Sequence, residues 1–284
     1  MTALWRLAAL TVFVCPLVGQ TFDTLMSQGV QLYNKSDLDG AIMQFETAVE
    51  LEPKNMVSLL HLANAHASRA AKVEGPGGIG AASRALALYR QVLELEADNR
   101  TAIWNQAMVK LNSKDLVGAE AALERYLQLA PGSADAYYAR GVVEWARAFP
   151  AQMQARHEAG QPPSDPAPIS NPTVRDQFRG QHLAGVERGL ESLRHAVMLD
   201  PTHEEALAYR NLLLRTKADM AANSSDASDL ASQADQAIRR MLRLRSERVT
   251  ATSSEPLLAE LEASKPPPPL RAPLPPPPPP RRRG

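Results

Sequence analysis

The chain has 284 residues, with 31 basic and 31 acidic side chains, a formal net charge of zero, 5% aromatics and one cysteine. That balance creates no long-range field that would gather nucleic acid or an anionic membrane, and a lone thiol rules out a disulfide framework. Length alone allows one or two domains, and a single array with tails is the simpler account of the recurrent pattern in the chain.

The first residues read as a targeting segment. Met1–Arg6 is short and weakly basic, Leu7–Val18 is apolar, and Leu17-Val18-Gly19 ends on a small residue suited to cleavage. Residues 1–19 are therefore expected to be a secretory signal peptide, which places the mature chain in a periplasm or outside the cell. The stretch falls short of the roughly 20 apolar residues a spanning helix needs, and Pro16 interrupts it. An uncleaved membrane anchor is the competing reading, and no transmembrane span is expected in the mature chain. Cys15 lies inside this segment, and Val14 stands where a lipoprotein signal carries a smaller residue. Cleavage near Gly19 would leave no thiol at all.

Beyond it, one phrase recurs: AIMQFETAVELEPKN at Ala41–Asn55, ALALYRQVLELEADN at Ala85–Asn99, AEAALERYLQLAPGS at Ala119–Ser133 and GLESLRHAVMLDPTH at Gly189–His203. Its stop positions Pro53, Ala97, Pro131 and Pro201 lie 44, 34 and 70 residues apart (97−53, 131−97, 201−131). A period of about 34 is that of a helix-turn-helix array. Proline ends the preceding helix, because it lacks an N–H for the ladder and restricts its neighbour, and Asn55, Asn99 and Ser133 then stand where an N-cap is wanted.

The phrase resembles the tetratricopeptide repeat. With Pro53 as the last position of a unit beginning at Phe22, Gly29 falls at the small site of helix A, and Ala41, Phe45 and Ala48 fall at the packing sites of helix B. The unit from Met56 supplies Ala63, Ala85 and Tyr89 around an insertion near 74–82. The unit from Arg100 supplies Ala107, Ala119 and Pro131, with Leu123 and Tyr126 at the later sites. The unit from Ala134 keeps Gly141, Ala196 and Pro201 around a long insertion near 149–174. A fifth pair, Thr202–Val249, has the helical pattern with little of the motif. The resemblance implies an all-α, right-handed superhelical solenoid of about five helix pairs over residues 20–249. Neither helix of such a pair can bury its apolar stripe alone, so each needs a neighbour.

Within the first insertion, Gly75–Gly80 spells G-x-G-x-x-G. No strand pattern precedes it, as a dinucleotide loop would require, and a loop between helices is expected. Prolines 162, 163, 166, 168 and 172 exclude helix from the second insertion, whose helical flanks should project as a long hairpin. Ser228–Val249 reads as a helix carrying Arg239, Arg240, Arg243, Arg245 and Arg248. It is either a solvated end that complements the macrodipole or a contact for an anionic partner. Residues 250–284 form a tail whose Lys265–Gly284 is a polyproline tract ending in Arg281, Arg282 and Arg283. Such a tract adopts an extended left-handed helix with no packed core. It serves as a spacer tipped with charge, as a P-x-x-P ligand, or as nothing more than a disordered end.

Catalytic signatures are missing from the sequence. His61 and His66 are five apart, about 140° around a helix, and no H-E-x-x-H, G-x-S-x-G or P-loop lysine occurs. A binding protein with no cofactor and no enzymatic activity is the expectation, and an enzyme whose site is assembled across repeats without a sequence signature is the minor alternative. The resemblance implies a concave groove lined from the first helices: Met26, Val30, Tyr33 and Asn34; Leu60 and Asn64; Trp104, Met108 and Asn112; Tyr138, Val142 and Trp145. Some of these should turn out to be packing, Met26, Val30 and Leu60 foremost. The family's carboxylate clamp would need Lys and Asn where Met26 and Val30 stand, so chaperone C-terminal tails are not the expected ligand. The resulting expectation is an adaptor holding a protein or peptide segment in an envelope or export assembly. The rival is a tether acting through the tail, with Arg239, Arg240, Arg243, Arg281, Arg282 and Arg283 meeting an anionic envelope surface and with no specific nucleic acid.

Overall fold

The computed structural model describes residues 21–253; the expected signal peptide and the proline tract lie outside them. The described residues form ten α-helices and no strand: α1 Phe22–Asn34, α2 Leu38–Leu51, α3 Met56–Lys72, α4 Pro76–Leu95, α5 Arg100–Asn112, α6 Leu116–Leu129, α7 Ala134–Glu158, α8 Pro172–Leu199, α9 Glu204–Asp219 and α10 Ser224–Ser253. Successive helices pack as pairs, and each pair packs on the next, which is the solenoid the repeat implies.

The recurrent phrase sets the helix ends. α2, α4, α6 and α8 stop at Leu51, Leu95, Leu129 and Leu199, each two residues before its stop position. Asn55 accepts from the Val57 and Ser58 N–H groups, Asn99 from Ala102 and Ser133 from Ala136. These caps satisfy backbone donors that the first turn leaves open. The turns between helices in the first and third pairs repeat one device. Ser36 (φ 63°) and Lys114 (φ 62°) take the left-handed conformation, and Asp37 and Asp115 then cap α2 and α6 by accepting from Gly40 and Gly118.

Close crossing inside each pair carries the packing. A Cβ at Gly29 would stand 2.4 Å from the ring of Phe45, and one at Gly141 would stand 2.4 Å from Cγ of Leu193. Phe45, Tyr89, Leu123 and Leu193 occupy one site of the second helix, and all four are fully buried. The alanines facing them, Ala63 and Ala107, are buried as completely. The fifth pair inverts this arrangement. Tyr209 takes the small site of α9, and α10 supplies small residues, burying Ala227, Ala234 and Ala237. Asn211 Nδ2 donates to the Ala234 carbonyl of α10 at 2.7 Å, a contact that alanines on the facing helix permit.

Three segments differ from the sequence expectation. Gly75–Gly80 is not a loop, because α4 begins at Pro76, with proline in the first turn where its missing N–H costs nothing. A Cβ on Gly78 would sit 1.9 Å from the Val73 carbonyl oxygen, so the glycine serves a tight entry into the helix. α10 extends beyond the expected Ser228–Val249 at both ends. The long hairpin of α7 and α8 forms as expected, at 25 and 28 residues against 13 and 14 for α5 and α6. Its tip does not project freely.

The tip is tied to the end of α9. Arg156 forms a two-pronged ion pair with Asp219, both side chains being about 5% exposed, and its guanidinium also donates to the Ala167 carbonyl. Gln152 donates to the same carboxylate and accepts from Thr216. Ile169 is fully buried, and its N–H donates to the Asp219 carbonyl. Burial raises the Asp219 pKa, against the pull of Arg156 and Gln152.

This packing sets two stability outcomes. Asp219→Ala strands the Arg156 charge in the interior and should cost about 3–5 kcal/mol in urea unfolding, whereas Glu191→Ala, at an exposed and solvent-screened pair, should leave the unfolding midpoint almost unchanged. Gly141→Ala should lose about 1–3 kcal/mol through overpacking against Leu193, despite the better helix propensity of alanine.

Candidate functional site

The candidate groove residues sit on α1, α3, α5 and α7, and their surroundings divide them. Met108 and Val142 are 5% and 8% exposed and belong to the core. Asn64 is a strut, with Oδ1 accepting from the Tyr89 hydroxyl at 2.7 Å and from Asn105 Nδ2 at 2.8 Å. That oxygen joins α3, α4 and α5. Burial pushes the Tyr89 hydroxyl far above its ordinary range, so it remains a donor. Tyr33 is half-buried and shares a 2.8 Å hydrogen bond with Ser68, linking α1 to α3. Met26, Val30 and Leu60 are half-buried against the cores of their own pairs. Asn34 and Asn112 are exposed.

The remaining aromatics gather toward the fifth pair. Trp104 is half-buried with its ring 5.3 Å from Tyr126. Tyr138 lies 4.9 Å from the His203 ring and 5.6 Å from Tyr209, and Trp145 lies 5.3 Å from Tyr209 and 4.9 Å from Phe149. Tyr138, Trp145 and Phe149 are seven and four residues apart, which puts them on one stripe of α7. Phe149 is 39% exposed. Trp145 Nε1 has no acceptor within the fold. The sequence reading missed Phe149, Tyr209 and His203. The helical spacing from Tyr138 would have found Phe149; nothing local announces the other two, which come from the next unit.

His203 is a joint between units. It caps α9, Nδ1 accepting from the Ala206 N–H, while Nε2 lies 3.2 Å from Asp135 of α7 and Nδ1 3.4 Å from Glu205. The capping bond belongs to the neutral ring; the protonated ring donates from both nitrogens to the two carboxylates. Burial lowers its pKa, but hydrogen bonding and charge from Asp135 and Glu205 outweigh this and raise it to about 9. His66, on α3, behaves oppositely: burial first, then Arg84 and Arg69, lower it to about 4.

The C-terminal arginines are engaged to different degrees. Arg240 donates to the Pro201 carbonyl, and Arg245 and Arg248 converge on the nearly buried Glu204. Arg239 donates to the carbonyl of Asp235 in its own helix, and Arg243 is exposed. Arg281, Arg282 and Arg283 lie outside the described residues. Among the described residues no group of three or more His, Cys, Asp or Glu is placed to hold a metal ion, and no helix is long and apolar enough to cross a membrane.

No family model matches the sequence, and no curated protein matches it. Solved structures match its fold. A MamA fragment from Desulfovibrio magneticus RS-1 aligns with a TM-score of 0.55 at 17% identity, covering 80% of this chain and 96% of that one. Another MamA crystal structure aligns with a TM-score of 0.53 at 18% identity, covering 84% and 99%. At these identities the likeness is one of fold, and it agrees with the helix-pair solenoid.

The two histidines give stability a pH optimum. The folded His203 value lies above 6.5, so its contribution is complete below that pH and lost as the pH rises through about 9. The folded His66 value lies below 6.5, so its contribution is complete above that pH and lost as the pH falls toward about 4. Stability measured by urea unfolding should peak near 6.5 and decline on both sides. His203→Gln should flatten the alkaline limb and leave the acid limb in place.

Proposed function

We propose that the chain is a non-enzymatic scaffold that holds an extended or helical segment of a protein partner along its first helices, in a cell-envelope or export assembly. One observation carries the reading: Tyr33, Trp104, Asn112, Tyr138 and Trp145 leave aromatic and amide surface half-buried or exposed along α1, α5 and α7. Aromatic side chains supply contact area at low conformational cost together with a polar handle, and that combination suits peptide recognition. The solenoid provides the rigid backing. The envelope location rests on the targeting segment at residues 1–19, and the fold shared with MamA is consistent with a scaffold.

A second reading, a tether working through the tail and the arginines, draws support from the exposed Arg243 and from the basic end of the chain. It loses ground on α10, where Arg240, Arg245 and Arg248 already have partners within the fold.

Cross-linking and capture from native envelope extract separates the two readings. The scaffold predicts that Trp104→Ala with Tyr138→Ala loses the captured partner while unfolding cooperatively, and that removal of Lys265–Gly284 keeps it. The opposite pattern would assign the function to the tail.

A further inference from the structure

The chain as a whole carries no net charge, but its charge is unevenly placed along the array. Residues 21–54, the first pair and the turn after it, hold six acidic side chains and two basic ones, whereas Arg239–Arg248 of α10 holds five arginines and one glutamate. Both regions also leave apolar side chains in solvent. Leu51 at the end of α2, Val57 in the first turn of α3 and Leu95 at the end of α4 are 53%, 56% and 44% exposed. Leu51 and Leu95 are equivalent residues of successive units, so the repeat sets them on one edge of the array. Leu242 of α10 is 53% exposed. α10 packs against α9, and among the described residues no further pair covers its other side.

The two regions are complements in detail. Glu50 and Glu52 flank Leu51, Glu94 and Glu96 flank Leu95, and all four glutamates are exposed. Glu52 and Glu96 each accept a hydrogen bond from the asparagine three residues on, and among the described residues none of the four forms an ion pair. Arg125 is taken by Asp98 at 3.7 Å, which leaves Lys54 and Arg100 as the cations on these turns. On α10, Arg239 lies three residues before Leu242 and four before Arg243, so the three share a face. Both arginines are exposed. Arg239 donates only to the Asp235 carbonyl of its own helix, whereas Arg240, Arg245 and Arg248 are held within the fold. A leucine between arginines thus stands at one end of the array, and leucines between glutamates stand at the other.

We propose that the chain associates with itself head to tail, α10 of one copy docking on the Leu51–Leu95 edge of the next. Leu242 meets the exposed leucines, and Arg239 and Arg243 meet the flanking glutamates. The inference goes beyond the groove and uses none of its residues. Removing the leucines from water drives the contact, and the opposed charges steer the approach and fix its orientation. The two surfaces differ, so each docked copy still offers one of each, and the contact continues into a ring or filament. Few side chains take part, which makes the association weak and dependent on concentration. Copies joined in this way repeat the first-helix surface along the assembly and raise its avidity for a partner with several segments.

Sedimentation velocity on the full-length chain tests this. The mass should rise above the monomer with concentration, and moving from about 50 to about 500 mM salt should weaken association about tenfold, because screening shortens the reach of the charges. Arg239→Glu with Arg243→Glu, and separately Glu50→Arg with Glu94→Arg, should each leave a monomer that keeps its helical circular dichroism and cooperative unfolding. An equimolar mixture of the two variants should assemble again, since the reversed α10 of one meets the reversed edge of the other and their unaltered surfaces also meet. A folding defect would not be repaired by mixing. An unaltered chain that stays monomeric at every concentration overturns the inference, as does assembly that survives both reversals or a mixture that stays monomeric. A monomer that binds phosphatidylglycerol vesicles through Arg239 and Arg243 overturns it too, because the occupant of α10 is then a membrane surface.

Discussion

The structure depends on how closely two helices of a pair can approach. At Gly29 and Gly141 the facing side chain fills the space that a Cβ would need, and at Ala63 and Ala107 a single methyl group is buried completely. Small residues on one helix admit Phe45, Tyr89, Leu123 or Leu193 from the other, and the ridge-and-groove fit follows. A pair crossed this tightly still has an apolar flank, which only the next pair covers. The repeat therefore accounts for the array, and the array for a continuous surface of first helices.

Departures from the repeat concentrate in the fourth and fifth units, where the aromatic cluster also lies. Lengthened α7 and α8 carry their tip beyond the reach of α6, and the Arg156–Asp219 pair with Gln152 and Thr216 fixes that tip on α9. A buried ion pair contributes little net stability against a hydrophobic substitute, but breaking one partner is costly. Its effect here is placement: the hairpin is held in one position. Tyr209 at the inverted crossing of the fifth pair then meets Tyr138 and Trp145. The aromatic rings consequently gather where the fourth and fifth pairs meet.

Polar groups between units work as joints. Asn64 with Tyr89 and Asn105 spans three helices, Tyr33 reaches Ser68, and His203 bridges α9 to Asp135 of α7. Each sets the relation of one unit to the next with a directional bond, which apolar packing alone does not supply. Among these joints His203 changes its bonding with protonation, exchanging a helix cap for a pair of carboxylates.

The sequence by itself determined the pairs, their boundaries and the crossing sites. A stop signal, a cap and a small residue act within a few residues of chain, and Pro53, Asn55 and Gly29 read the same in isolation as in the fold. The register of the repeat also placed Tyr33, Trp104, Tyr138 and Trp145 on the first helices of their pairs, where the structure half-buries them against the core. Local pattern misled at Gly75–Gly80, where glycine permits a tight helix entry, and at Met108 and Val142, which neighbouring helices bury. Only the tertiary structure decided the latch from Arg156 to Asp219, the strut at Asn64 and the meeting of Tyr138 with Tyr209 and His203. Those partners lie 25 to 71 residues apart, and no local propensity records which distant side chain will arrive opposite.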